Sequence, residues 1–190
     1  QHLMNVRREL ESNELLKADL GPFRDEETPW GSQALVVTDF DAKIAAGSVE
    51  QSIRGARHGS RRPALAVLDD VEDIASVRTR EGRDKPWAWL TGEVIPAGDR
   101  RTRVIAVGNL LHEDSLMRRI ERKIESKEIR CAYRRYPLVD AEGRCLWPGK
   151  YPTMSDVEEE RRRVMDERTW LREFLLRIVA DAGQIVHPEW

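Results

Sequence analysis

The sequence has few cysteines and no long apolar segment. Its two cysteines, Cys131 and Cys145, form no C-x-x-C pair, so a zinc site is not indicated and a disulfide has no support. No apolar run approaches the roughly 18 residues that a membrane-spanning helix needs, and no signal-peptide pattern opens the chain. A globular protein in a reducing cytoplasm is the simpler interpretation.

Net charge and chain ends give little further information. The net charge of the 190 residues is −2, so any contact with nucleic acid has to come from local basic clusters. The chain lacks an initiating methionine, begins at Gln1 within a helical pattern and reaches Trp190 without a closing signal. We therefore expect a piece of a longer protein, long enough for one domain with a core.

Hydrophobic periodicity predicts an α/β domain with a largely parallel sheet, because strands alternate with helices in the middle of the chain. We expect this domain to cover residues 1–150 and a helical segment to cover 151–190. The predicted elements are helices over 3–20, 78–92, Ser115–Glu125 (capped by Asp114) and 157–167 (capped by Ser155), a last helix through Trp170 ending at Gly183, and strands Ala34–Phe40, Ala42–Ala46, Ala64–Leu68, Thr102–Val107 and Ile129–Tyr133.

Paired acids follow an entirely apolar strand, which is typical of a strand covered on both faces. Ala64–Leu68 leads directly into Asp69 and Asp70. Ligands bind outside the carboxyl ends of parallel strands, so these acids would face a site. In nucleotide motors the first acid holds Mg²⁺ and the second orients or deprotonates the attacking water. The alternative is that the two acids form a solvated loop or a helix cap.

Polar residues also end the next apolar strand. Thr102–Val107 leads into Gly108 and Asn109, where a polar side chain would contact a γ-phosphate or the attacking water. The alternative is a simple Gly-Asn turn. The order of two such strands with one helix between them is more specific than either strand alone.

A basic loop precedes the first of these strands. Arginine clamps phosphate or acts in trans on the nucleotide of a neighbouring subunit. A solvated loop, or contact with a DNA backbone without catalysis, explains the same residues equally well. The basic residues of this loop are Arg54, Arg57, His58, Arg61 and Arg62, and of these we expect Arg54, Arg57 and Arg62 to bind phosphate.

Two other charged groups carry less information. His112–Asp114 fits the acidic start of a capped helix better than a set of metal ligands. The basic residues Arg118, Arg119, Arg122 and Lys123 lie on the predicted helix that follows, and we expect them to form a solvated surface, with contact to DNA as the alternative.

The ordered set of these motifs resembles the large terminase subunits of tailed phages. The likeness extends from about residue 5 to 180, and no single motif carries it. The matching segments are Glu9–Asn13, Gly21–Phe23, Ile53–Arg57, Arg62–Glu72, Arg83, Lys85, Trp87–Trp89, Thr102–Leu116 and Cys145–Pro148.

The resemblance implies a P-loop ATPase fold of the additional-strand type, incomplete on its N-terminal side, and a motor that packages double-stranded DNA. Asp69 would match the Mg²⁺-binding acid of the Walker B motif, Asp70 the catalytic acid, and Gly108 and Asn109 the coupling motif. ATP and Mg²⁺ would be the cofactors. Portal protein, the small terminase subunit and further copies in a ring would be partners, in the cytoplasm of the bacterial host. A second domain would be a metal-dependent nuclease.

The sequence departs from this family in three respects. The catalytic position carries Asp70 where Glu is usual, so Glu72 is an alternative base. Asn109 stands where Ser or Thr is frequent. The Walker A loop, G-x-x-x-x-G-K-S/T, does not occur in the chain, so we expect the chain alone to be inactive as an ATPase.

Three other interpretations stay open. The first is another P-loop enzyme such as a helicase, whose further motifs we do not find. The second is a prophage remnant or interaction module without catalysis, which would place no constraint on Asp69. The third is a carboxylate-metal nuclease built on Asp69, Asp70, Glu72 and Asp73, which would bind metal without nucleotide.

Overall fold

A computed structural model describes residues 2–23, 30–31 and 33–179 and is a mixed α/β structure. Two wider π-helical turns, Leu90–Val94 and Trp170–Phe174, continue or end helical segments. The helices are α1 His2–Ser12, α2 Glu14–Leu20, α3 Arg80–Trp89, α4 Ile95–Ala97, α5 Leu116–Glu125, α6 Met154–Val164 and α7 Glu167–Thr169, and the strands are β1 Ala34–Val37, β2 Ala42–Ala45, β3 Leu65–Asp69 and β4 Arg103–Val107.

These residues form two compact units. The first comprises the described residues of Gln1–Ala66 and Ala88–Val104, and the second those of Val67–Trp87 and Ile105–Trp190. Both β3 and β4 begin in the first unit and end in the second. None of the helices in the described part of the chain is long and apolar enough to cross a membrane.

The prediction of one continuous helix over residues 3–20 is wrong, because the helix is interrupted at Asn13. Its side-chain oxygen accepts a hydrogen bond of 3.0 Å from the Leu16 amide, which makes Asn13 the N-cap of α2 and separates α2 from α1. Asparagine favours such caps because its side chain competes with the helical backbone for hydrogen bonds.

The first unit has a core beneath an antiparallel hairpin. β1 and β2 pair from Ala34 with Ala45 to Val37 with Ala42, which confirms the two predicted strands with shorter bounds. Asp41 turns the chain between them with a left-handed backbone, φ 45°, which its short polar side chain tolerates. The buried residues of this core are Leu3, Phe23, Trp30, Leu35 and Val37.

The predicted parallel arrangement is present as one pair, β3 with β4. The amide of Arg103 bonds the Ala64 carbonyl at 2.9 Å and the amide of Asp70 bonds the Val107 carbonyl at 3.1 Å, so both chains run in the same direction. The prediction of strands buried on both faces is wrong, because the described residues add no third strand to this sheet and Leu65 and Val67 stay more than half exposed.

The second unit has its own core. Three further sequence predictions for this unit are wrong. Ile129–Tyr133 is not a strand: a left-handed turn at Lys127 precedes it, and no strand among the described residues pairs with it. Helix α6 starts at Met154 with Thr153, not Ser155, as its cap, because Thr153 and Asp156 form a reciprocal capping box. Up to residue 179, where the description ends, the last helix consists of α7 and its π-helical turn, and Gly183 lies outside the described residues.

Candidate functional site

The carboxyl ends of β3 and β4 lie side by side. Asp69 is the last residue of β3 and is exposed, and Asp70 follows it with a left-handed backbone, φ 44°. An Oδ atom of Asp70 lies 3.6 Å from where a Cβ of Gly108 would be. Such backbone conformations are infrequent in non-glycine residues and are found in functional sites more often than elsewhere.

Four of the predicted site residues line one small cleft at these strand ends. They are Asp70, Glu72, Gly108 and Asn109, and Leu116 and Met117 of α5 close the cleft. Its volume is about 10 Å³, which is room for one water molecule. A nucleotide would therefore have to lie outside the strand ends, with only its reacting water near the cleft.

Glu72 holds the start of α5. Both of its carboxylate oxygens accept from the Leu116 amide, at 2.9 and 2.8 Å, and so satisfy an amide that has no partner within the helix. Burial raises the pKa of the Glu72 carboxyl, although this amide and the nearby Arg119 oppose the shift. Burial therefore favours a proton on Glu72 more than on an exposed glutamate, while the hydrogen bond from the Leu116 amide favours the carboxylate.

Asp114 is the centre of an ion-pair cluster. It accepts from Arg119 at 2.7 Å, from Arg122 at 2.9 Å and from Arg83 at 3.4 Å, and Arg119 also bonds Asp84 at 2.6 Å. The hydrogen bond from Arg119 is the main cause that holds the pKa of the Asp114 carboxyl well below its usual range. The predicted cap at Asp114 is wrong, because Ser115 is the N-cap of α5 and Asp114 is used by the arginines.

The predicted solvated face of α5 is also wrong in part. The side chain of Arg119 is only 15% exposed, and that of Arg118 pairs with the buried Glu121, which also accepts from Arg135 at 2.5 Å. Burial without partners would be costly for these groups, so the pairs stabilise α5 only while both partners stay in place.

Asp114→Asn is expected to lower the free energy of unfolding by about 2 kcal/mol at neutral pH. Breaking a buried pair costs more, but Asp114 is 36% exposed, and solvent screens part of the interaction. Because the folded pKa is depressed, the stabilisation is complete above the unfolded pKa of about 3.9 and is lost as the pH falls below it.

Urea denaturation at several pH values measures this loss. The matched control is Glu113→Gln, because Glu113 is largely exposed and has one long contact, 3.4 Å, with Arg118. An equal loss for both variants, or a difference that does not shrink in acid, would contradict the assignment.

Asn109 contacts a residue that the sequence does not connect with it. Its amide donates to a Glu173 carboxylate oxygen at 2.5 Å, and Arg172 bonds the other oxygen at 2.9 Å. Glu173 lies in the π-helical turn Trp170–Phe174, and π-helical turns occur frequently at functional sites. The sequence contains no signal for this pair, since 64 residues separate its members.

The three predicted phosphate-binding arginines belong to the first unit. Arg54 donates to the Gly92 carbonyl at 2.9 and 3.0 Å and pairs with Glu93 at 3.2 Å, so it is engaged within this unit. Arg62 reaches the Ala97 carbonyl at 3.5 Å. The Arg57 side chain is exposed and has no hydrogen bond or ion pair with any described residue.

Asp69 and Asp70 are the residues at the strand ends that would hold a hard cation such as Mg²⁺. Asp69 and Asp70 supply carboxylate oxygens, the ligands that Mg²⁺ prefers. In the part of the chain that the structure describes, no group of three or more histidine, cysteine or acidic side chains could enclose a metal ion. An ion here would therefore take its other ligands from water and phosphate.

Comparison with known proteins identifies no relative. No family model matches the chain, and neither the curated proteins nor the solved structures contain a significant match. The likeness to terminase large subunits therefore rests on the motifs quoted above.

Proposed function

We propose that this chain contributes the acidic side of a Mg²⁺–ATP site in a DNA-packaging motor of the terminase type. One observation carries the proposal: parallel strands end side by side in Asp69-Asp70 and Gly108-Asn109. This is where ligands bind in parallel α/β sheets.

The contacts of the acids support a division of roles. Glu72 already accepts the Leu116 amide with both oxygens, so we assign it to positioning α5. Asp70 lines the cleft that has room for one water, and we assign it to orienting or deprotonating the attacking water. Asp69, at the end of β3, would hold Mg²⁺, which supplies charge neutralisation at the transferred phosphate.

Asn109 would contact the γ-phosphate, and this contact would be lost on hydrolysis. Its hydrogen bond to Glu173 gives a route from the strand ends to the π-helical turn Trp170–Phe174. Double-stranded DNA, the portal protein, the small terminase subunit and a ring of copies belong to this proposal as partners of the whole motor. We do not expect ATP turnover by this chain alone, because no Walker A loop occurs in it.

Binding of Mn²⁺ in the presence of ATP tests the role of Asp69. Mn²⁺ substitutes for Mg²⁺ at oxygen ligands, and Mn²⁺–ATP bound to a protein relaxes water protons faster than free Mn²⁺–ATP does, so water proton relaxation measures the binding. We expect Asp69→Asn to weaken ATP-dependent Mn²⁺ binding about tenfold, the scale of losing one water-mediated metal contact.

The matched control is Asp39→Asn, an exposed acid in the turn after β1. Binding that is unchanged in Asp69→Asn would contradict the proposed site. Mn²⁺ binding of equal strength without ATP would favour a carboxylate-metal nuclease instead.

A further inference from the structure

A groove on the second unit is lined by aromatic side chains. Its volume is about 340 Å³, within the range of sites that bind small molecules or single nucleotides. Tyr136, Trp147 and Tyr151 come from the loop 136–151, and Glu173 and Phe174 come from the π-helical turn. Among the described residues the groove has no lining residue in common with the strand-end cleft, and the Asn109–Glu173 bond joins the two.

The walls of the groove are held by backbone hydrogen bonds. The Leu138 amide bonds the Phe174 carbonyl at 2.6 Å, and the Leu146 amide bonds the Leu138 carbonyl at 2.8 Å. Val139 and Cys145 add an antiparallel bridge to the same loop. The buried Leu138 and Tyr151 anchor the loop in the core, so the groove is preformed.

Two aromatic residues of the groove are largely exposed to solvent. Tyr136 is 75% exposed and Trp147 57% exposed. The ammonium of Lys150 lies 4.9 Å from the centroid of the Trp147 ring and 5.1 Å from that of Tyr151, which adds a positive charge. Exposed rings beside a lysine are the elements of a stacking platform for nucleobases.

A buried hydroxyl lacks a partner in the groove wall. Tyr151 is 5% exposed, and its hydroxyl has no hydrogen bond with any residue in the described ranges. Buried polar atoms are nearly always paired, so this hydroxyl indicates a ligand or solvent atom that supplies the bond. The polar edge of a base offers both donors and acceptors.

Basic residues lie in the segment of chain directly before the groove. Arg130 and Arg134 are exposed in the irregular segment before Tyr136, and within the described residues Arg134 donates only to the carbonyl of Tyr133. Arg135 is engaged with the buried Glu121. Two guanidinium groups and Lys150 are thus left for the phosphates of a nucleic acid strand.

We propose that this groove binds an unpaired nucleobase of a single-stranded nucleic acid. The base stacks on Trp147 and Tyr136, and the adjoining phosphates contact Lys150 and Arg134. A duplex is excluded from the groove, because its bases are stacked on each other and offer no free face. This inference does not depend on the proposed ATPase role, since it uses neither Asp69 nor Asp70.

Fluorescence anisotropy of a labelled oligothymidylate of about 12 nucleotides measures the binding. We expect Trp147→Ala to weaken it about tenfold and Trp147→Phe to retain most of it, because phenylalanine keeps a stacking ring. Phe40→Ala, which removes an exposed ring of the first unit, is the matched control and binds as the unmodified chain does.

The charge of the groove has a separate test. Lys150→Gln is expected to reduce the slope of log affinity against log salt concentration by about 0.7, which corresponds to one phosphate contact on a single strand. Lys43→Gln, at an exposed lysine of β2, should leave the slope unchanged.

Competition by a single nucleotide and comparison with a duplex complete the test. Competition by thymidine monophosphate that is lost in Trp147→Ala supports the base site and shows that one nucleotide is sufficient. Absence of strand binding, strand binding unaffected by Trp147→Ala, or duplex binding of equal strength overturns it. Asp69→Asn should not change this binding, so failure of the metal test and failure of the groove test are distinguishable.

Discussion

Trp170→Ala is expected to lower the free energy of unfolding of the second unit by about 4 kcal/mol. Trp170 is 4% exposed and stacks on Phe174 with ring centroids 4.5 Å apart. It packs with the buried Leu138, Tyr151 and Val157, which come from two other parts of the chain. Truncation removes the contacts of a large ring and leaves a cavity, and both effects destabilise the same core.

Urea denaturation followed by far-ultraviolet circular dichroism measures this change, because the signal does not depend on tryptophan emission. Trp147→Ala is the matched control: it removes the same side chain 23 positions earlier, from a ring that is 57% exposed. We expect a loss of at most about 1 kcal/mol for the control. Equal losses would contradict the location of Trp170 in the core.

The sequence predicts most of the local structure of this chain. β1, β2, β3, β4 and α5 all fall where apolar runs or helical spacing place them, with ends that differ by a few residues. These patterns are local, since they arise from which face of one strand or helix is apolar. The pairing of β3 with β4 also follows from the strand–helix–strand order.

What the sequence does not predict is how each apolar segment is covered. Ile129–Tyr133 has a strand-like composition, yet it has no neighbouring strand in the described residues and stays irregular. The apolar runs of β3 and β4 suggest burial on both faces, but Leu65 and Val104 are exposed. Covering surfaces come from residues distant in sequence, and periodicity contains no information on them.

In the candidate site, too, the sequence predicts local structure but not the contacts between residues that are distant in sequence. That Asp69 and Asp70 end a strand follows from the order of their residues, and so does the position of Asn109 after β4. The bond from the Leu116 amide to Glu72 joins residues 44 apart, and no sequence pattern indicates it. It is nevertheless on this bond that our proposed division of roles between Asp70 and Glu72 rests, and the sequence leaves that division open.

Leu116→Ala is expected to lower the free energy of unfolding by about 3 kcal/mol. Leu116 is 1% exposed and lines the strand-end cleft, so its loss leaves a cavity directly beside Asp70 and Glu72. Leu116→Met, which conserves volume, is the control and should cost less than about 1.5 kcal/mol. Urea denaturation compares the two variants.

Leu116→Ala also separates the role of the Leu116 side chain from that of its backbone amide. Alanine keeps the amide that bonds Glu72, so hydrogen exchange at residue 116 should stay slower than in the remaining first turn of α5. Glu72→Ala should do the opposite: it removes the acceptor and accelerates exchange at Leu116, at a cost of about 1 kcal/mol, the usual value of a helix cap. Rapid exchange at position 116 in Leu116→Ala itself would mean that packing, and not the carboxylate, holds the start of α5, and Glu72 would again be available as a base.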